Sequence, residues 1–224
     1  MTQSCEVSRR PESITIEPVS AASGTVRLPG SKSISNRALF LAAMAQGKTT
    51  LTGLLRADDT ERMIEALQAL GIEVVFEADT QVTVTGCGGR IPVKSAELFI
   101  GNAGTAARTL TALLAFAGGT YRLDGIARMR ERPIGDLLEA LRSLGAKVTC
   151  DVSSQYLTAL LMLAPSVASD EGFWIDIEGE LISRPYVAMT VRMMCDFGIE
   201  AKETSTGFWV PRGTYRAQSS YRVE

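Results

Sequence analysis

The chain contains no histidine. That absence removes Ser-His-Asp and Cys-His catalysis, and any imidazole general base, from what these residues can do. Proton transfer is left to Lys, Asp, Glu, Tyr or Cys. Cysteine is scarce: Cys5, Cys87, Cys150 and Cys195 are widely spaced, and no pair has CxxC spacing. A zinc or redox cluster is therefore not expected, and the thiols are expected to be reduced, as in a cytoplasmic protein. No apolar run reaches the roughly 18 residues that cross a bilayer. Met1–Pro18 has no apolar signal core and reads as a flexible lead running into a short strand, Ile14-Thr15-Ile16. Net charge is −2, so no broad basic surface for nucleic acid is expected either.

What the chain does have is a threefold repeat. Each copy opens a helix with small polar or cationic residues: Ser31-Lys32-Ser33, then Asn102-Ala103-Gly104-Thr105, then Ser153-Ser154-Gln155. An apolar run follows each opening (Ala38–Met44, Leu110–Ala117, Tyr156–Ala164), then a strand around Leu51, Leu123 and Ile175. A second helix and a glycine close each copy, at Gly71, Gly145 and Gly198. Helix N-termini carry unpaired N–H groups and the positive end of the dipole, so three of them converging would form a phosphate or carboxylate site.

The repeat is uneven. Lys32 to Gly104 spans 72 positions and Gly71 to Gly145 spans 74, whereas Gly104 to Gln155 spans 51 and Gly145 to Gly198 spans 53. Both later spacings are short by 21, which places a loss between Gly145 and Ser153. After Gly71 there is room for a hairpin, Ile72–Phe76 and Gln81–Thr85. After Gly145 the strand Lys147–Cys150 runs almost directly into Ser153, so the return strand of the second unit is expected to be missing.

Periodicity predicts amphipathic helices over Thr60–Leu70, Ile134–Leu144 and Pro185–Phe197, with glycine stops. Asp58 and Asp59 are expected to cap the first of these, and Pro133 and Pro185 to sit just inside the other two. The first helix of each unit is apolar nearly all round and is expected to be buried on every side. The predicted class is α/β: three repeated βαβαββ units, with buried helices surrounded by short mixed sheets. The expected organisation is a lead with the first strand over 1–24 and one domain over 25–224. Its units run about 25–97, 98–152 and 153–224, the second incomplete.

Several residues in this frame could hold an anion. Lys32 lies at the mouth of a helix starting near Ser33, and Arg37 about one turn in, so ammonium, guanidinium and N–H groups could meet one phosphate. The alternative is a solvated, Ser-capped helix start. Gly104 permits close backbone approach to a ligand; the alternative is a plain, tightly packed turn. Arg132 stands before the second helix of unit two. Arg130 reads more readily as part of a solvent-facing salt-bridge cluster. Ser153, Ser154, Gln155, Ser183 and Tyr186 offer neutral donors suited to a hydroxylated ligand. Gly47-Lys48-Thr49 resembles the end of a phosphate loop, but the first glycine of that pattern falls at Ala42, inside an apolar helix.

At these residues the chain resembles the N-terminal domain of the 3-phosphoshikimate 1-carboxyvinyltransferase (EPSP synthase) family. The stretches are LPGSKSISNR (28–37), LFIGNAGTAARTL (98–110), RMRERPIGDLLEAL (128–141), SSQYLTALLM (153–162) and GELISRPY (179–186). The resemblance implies an enolpyruvyl transferase-like fold and transfer of the enolpyruvyl group of phosphoenolpyruvate to the 5-hydroxyl of shikimate 3-phosphate, with no cofactor or metal. It implies shikimate 3-phosphate contacts from Lys32, Ser33, Arg37, Ser153, Ser154, Gln155, Ser183 and Tyr186. It implies phosphoenolpyruvate contacts from Lys32, Gly104, Arg132 and Gln155, with Lys32 catalytic. Glyphosate is the implied inhibitor of the complete enzyme, and Thr109 stands where many members carry Pro.

The family's acid–base groups come from a C-terminal domain that these residues do not match, so the chain alone is expected to be inactive. Two other readings stay open: a UDP-N-acetylglucosamine enolpyruvyl transferase-like domain, which Lys32-Ser33 disfavours because that branch carries Lys-Asn there, and a non-catalytic binding or assembly fragment.

Overall fold

The computed structural model describes residues 13, 15, 17–21, 23–26, 28–147, 156–177, 181 and 184–223. Ile14 and Ile16 of the expected first strand, Val148–Cys150 of the expected unpaired strand, and Ser153, Ser154, Gln155 and Ser183 lie outside them.

Seven helices and nine strands follow along the described chain: α1 (Lys32–Met44), β1 (Gln46–Thr52), α2 (Asp58–Ala69), β2 (Glu73–Ala78), β3 (Gln81–Cys87), β4 (Ser95–Phe99), α3 (Gly104–Ala115), β5 (Thr120–Asp124), α4 (Ala127–Arg130), α5 (Gly135–Ser143), α6 (Leu157–Val167), β6 (Phe173–Asp176), α7 (Arg184–Asp196), β7 (Lys202–Glu203), β8 (Gly207–Val210) and β9 (Tyr221–Arg222). They form three short sheets, ordered β2-β3-β1-β9, β4-β5 and β6-β8-β7. The architecture is mixed α/β with short sheets around buried helices, as the repeat predicts.

The repeat is visible in the topology. In the first unit β1 pairs antiparallel with β3, and β3 with β2. In the third, β6 pairs antiparallel with β8, and β8 with β7. The expected hairpin after Gly71 is β2–β3. The second unit keeps only β5, paired in parallel with β4 through the α3 crossover. Among the described residues it has no counterpart of β3 or β8. β4 spans the expected boundary between the first two units.

One local device recurs in all three. Gly71, Gly145 and Gly198 hold φ of 83°, 91° and 88°, the left-handed region that glycine adopts without a Cβ clash. Their N–H groups donate to Gln68, Arg142 and Cys195, and the next N–H in each case reaches five residues back, to Leu67, Leu141 and Met194. These are Schellman stops, which turn α2, α5 and α7 sharply into the following segment.

The core sits on the first helix of each unit. Every α1 residue from Ser35 to Met44 is buried. In α3 the buried face includes Ala106, Leu110, Leu113 and Leu114, and in α6 Ala159 and Leu161–Pro165. The main cluster joins α1, α3 and, from α6, Leu161, Met162 and Ala164 to Met63, Leu67, Val82, Val84, Met194, Phe197 and Phe208. A smaller cluster lies under α5, built from Ala112, Leu137, Leu141, Ala159 and Leu163. Each fully buried Leu contributes roughly 1.5–3 kcal/mol relative to exposure.

Two expectations need correction. Asp58 and Asp59 do not cap α2; they are its first two residues, and the N-cap is Ala57. Thr60 does the capping, its Oγ1 accepting from the Ala57 N–H at 3.1 Å, while the two carboxylates favour the dipole from the first turn. Pro133 lies two residues before α5 rather than inside it, and the short helix α4 precedes it. No helix among the described residues is long and apolar enough to cross a membrane. Cys87 and Cys195 are free thiols; Cys5 and Cys150 lie outside the described residues.

Candidate anion-binding site

α1 begins where its sequence predicts. Ser31 is the N-cap, its Oγ accepting from the Ile34 N–H at 3.4 Å. The approach to this cap is fixed by Gly30, where a Cβ would fall 2.1 Å from the carbonyl oxygen of Gly53. Any larger residue would push the segment off and misplace Lys32. Lys32 is half-exposed and pairs with Asp59 at 3.4 Å. An exposed pair of this kind is worth at most about 1 kcal/mol, so an incoming anion can take Lys32 from Asp59 at little cost.

One turn further in, Arg37 is 5% exposed. Its Nη1 donates to the Ser33 carbonyl at 3.0 Å, its Nε to Thr190 Oγ1 at 2.8 Å and its Nη2 to Thr158 Oγ1 at 3.4 Å. All three acceptors are neutral, and no carboxylate pairs with Arg37 among the described residues. Burial lowers its pKa, an effect that the nearby Tyr186 phenol opposes. A guanidinium stays protonated in proteins, so the result is a buried positive charge without a counter-ion among the described residues.

The first turn of α3 carries the second group. Gly104 opens the helix, and the Arg132 guanidinium rests against it: a Cβ at 104 would lie 2.5 Å from Nη2. Arg132 Nη1 also donates to the Asn102 carbonyl at 2.9 Å. Arg132 is held from behind by its own loop. Arg130, two residues earlier, makes a two-pronged pair with Asp124 at 2.9 and 3.0 Å. Asp124 Oδ1 also accepts from the Gly125 N–H at 2.7 Å. The Arg130 hydrogen bonds, with that N–H, hold the Asp124 carboxyl at about 2. Arg130 is thus the salt-bridged member of the pair, as its sequence suggests.

Arg108 is the residue that sequence reasoning left without a role. Burial lowers its pKa most, and the nearby Arg132 charge lowers it further, while Tyr156 raises it. Its signal was present, a cation one turn beyond the Gly101–Thr105 turn, but nothing in the sequence placed it beside Arg132. Arg108, Arg130, Arg132 and Lys147, with Asp124 the single carboxylate, line a cavity of about 840 Å³.

Two first turns join these groups. In α2, Asp59 meets Lys32, while the neighbouring Asp58 lies 3.3 Å from where a Cβ on Gly101 would be. In α6, Thr158 meets Arg37, while Tyr156 at the N-cap meets Arg108. The N-terminal turns of α1, α3 and α6 therefore gather at one end of the molecule, the convergence that the repeat made possible. Arg37 and the start of α7 with Tyr186 meet at Thr190, whose hydroxyl donates to the Tyr186 carbonyl at 2.8 Å, while Ser33 joins through its carbonyl and Lys32 stands one turn back on α1. Gly104 and Arg132 form the adjoining group.

The family model described as EPSP synthase (3-phosphoshikimate 1-carboxyvinyltransferase) matches residues 16–151 and 148–224. A 3-phosphoshikimate 1-carboxyvinyltransferase of Burkholderia multivorans is 48% identical over 240 residues, covering 94% of this chain and 55% of the relative. That of Ralstonia pickettii is 46% identical over 241 residues, covering 95% and 56%. The aligned lengths exceed the 224 residues of the chain, so both relatives carry residues that have no counterpart here, in keeping with the short second unit. An EPSP synthase structure from Acinetobacter baumannii shares the fold with a TM-score of 0.73 at 22% identity, over 89% of this chain and 49% of that one. The chain spans about half the length of the curated relatives it matches. With the family model covering nearly the whole sequence, the chain belongs to the EPSP synthase family.

Proposed function

We propose that these 224 residues form the shikimate 3-phosphate half of an enolpyruvyl transferase site. The observation that carries this reading is Arg37: a buried guanidinium whose partners among the described residues are all neutral. Removing a charge from water costs several kcal/mol even after relaxation. A fold that keeps one without a carboxylate has a use for it, and an anionic ligand supplies the missing counter-charge. Lys32 at the same helix mouth adds a second cation. Ser33, Tyr186, Ser153, Ser154, Gln155 and Ser183 add the donors that ring hydroxyls need.

Phosphoenolpyruvate would lie beside it, at Gly104 and Arg132, with Lys32 and Gln155 as contacts to both substrates. Two anions held side by side repel, and cations with helix N-termini offset that repulsion. Enolpyruvyl transfer then joins the 5-hydroxyl oxygen to the enolpyruvyl carbon and breaks that carbon's bond to the phosphate oxygen. The hydroxyl proton leaves, in net terms, with the released phosphate, and Lys32 serves as the cation nearest both substrates. In the family reading the acid–base groups come from a C-terminal domain, so turnover is expected only when that half is supplied together with these 224 residues. Glyphosate is the expected inhibitor of the complete enzyme. Phosphate release in the presence of both substrates checks this: none from the chain alone, and recovery on adding a separate C-terminal half. Tighter binding of UDP-N-acetylglucosamine than of shikimate 3-phosphate would overturn the reading.

A further inference from the structure

Building on the reading of Arg37 as a ligand contact, we propose that Thr190 and Thr158 are positioning residues, a pair of hydroxyls that aims the Arg37 guanidinium at the bound anion. Thr190 is fully buried in α7. Its proton is committed to the Tyr186 carbonyl at 2.8 Å, so only its lone pairs face Arg37 Nε, also at 2.8 Å. Thr158 in α6 lies 3.4 Å from Thr190. Because the Thr190 proton is already used, Thr158 donates along that contact and accepts from Arg37 Nη2. Every hydroxyl direction in the network is thereby fixed.

The consequence is geometric. A guanidinium has five N–H bonds. Three are taken, by Thr190, Thr158 and Ser33. One N–H on Nη1 and one on Nη2 have no partner among the described residues. The hydroxyls hold the plane of the group without neutralising it, as carboxylates would. The same Thr190 proton ties down the first turn of α7, which carries Tyr186. Arg37 belongs to the first unit and both threonines to the third, so the network also sets the two units' ligand contacts relative to one another.

Shikimate 3-phosphate titrations of the 224-residue chain carrying T190V, T158V or T190S test this, read with thermal midpoints and the Arg37 Nε–H resonance. T190V should weaken binding about tenfold, and T158V about threefold because its contacts are longer. T190S, which keeps the hydroxyl, should stay within about twofold. The Arg37 Nε–H should exchange fast with water in T190V and remain protected in T190S. Affinity unchanged in T190V, or lost equally in T190S, would overturn the proposal, since a role in methyl packing predicts the latter. If the parent chain does not bind shikimate 3-phosphate at all, the reading of Arg37 as a contact fails. The exchange data then decide the positioning role alone: retained protection in T190V refutes it, and lost protection supports it.

Discussion

The Arg132 guanidinium occupies the space that a side chain at Gly104 would fill, with Nη2, Cζ and Nη1 at 2.5, 2.6 and 2.7 Å from an added Cβ. Gly104 does not have a positive φ, so glycine is needed there for room and not for backbone freedom. Gly104→Ala should displace Arg132, break its bond to the Asn102 carbonyl and weaken phosphoenolpyruvate binding about tenfold in a full-length enzyme. The displaced group is the end of a flexible side chain, so the unfolding free energy should change by less than about 1 kcal/mol. Comparing binding with denaturant midpoints checks both parts.

Arg37→Met separates ligand binding from stability. It removes a desolvated cation, which favours the fold, and three hydrogen bonds, each worth about 1 kcal/mol. The two effects oppose, and the unfolding free energy should stay within about 2 kcal/mol of the parent. Shikimate 3-phosphate affinity should fall about a hundredfold. Equilibrium denaturation and calorimetry read the two quantities.

Asp124 sets a pH dependence. Its carboxyl is lowered from 3.8 to about 2, by Arg130 first and the Gly125 N–H second. A depressed carboxyl contributes stability that is complete above its unfolded value and is lost as pH falls through the folded one. The contribution should therefore disappear between about pH 4 and pH 2. Asp124→Asn should flatten that part of the stability profile. Carboxyl carbon shifts followed from pH 5 to pH 1.5 give the midpoint directly.

Leu39 is fully buried in α1. Leu39→Ala should cost about 2–5 kcal/mol, because the surrounding helices close such a cavity only in part. A cost below about 1 kcal/mol by urea denaturation would mean that α1 is not packed on all sides.

Thr109 is buried in α3, its hydroxyl donating to the Thr105 carbonyl at 2.9 Å. It follows the Gly104 turn on the helix proposed to present the phosphoenolpyruvate side. A complete enzyme with Thr here should be inhibited more weakly by glyphosate than its Thr109→Pro variant. An inhibition constant unchanged by the substitution would remove Thr109 from the account.

Local patterns made much of the fold legible. The stripes Met63-Ile64-Leu67 and Leu137-Leu138-Leu141, with the following glycines, predicted α2, α5 and their stops within two or three residues. Ser31 and the all-apolar run behind it predicted a buried α1. Capping at α2 was misread because acidic residues and a Thr compete for one helix start, and the backbone angle at Ala57 decided it. The site was legible as residue types at helix openings. The contacts Arg37–Thr190, Arg37–Thr158 and Arg108–Tyr156 cross from one repeat to another. No local pattern encodes such distances; packing of α1, α3, α6 and α7 sets them.

The central claim is that the first turns of α1, α6 and α7 form a shikimate 3-phosphate half-site within these 224 residues. An amide NMR titration of the chain with shikimate 3-phosphate tests it most directly. The account predicts a dispersed spectrum with saturable shifts at Lys32, Arg37, Thr158 and Tyr186. A dispersed spectrum in which those resonances stay fixed, at ligand concentrations that saturate a full-length relative, would contradict it.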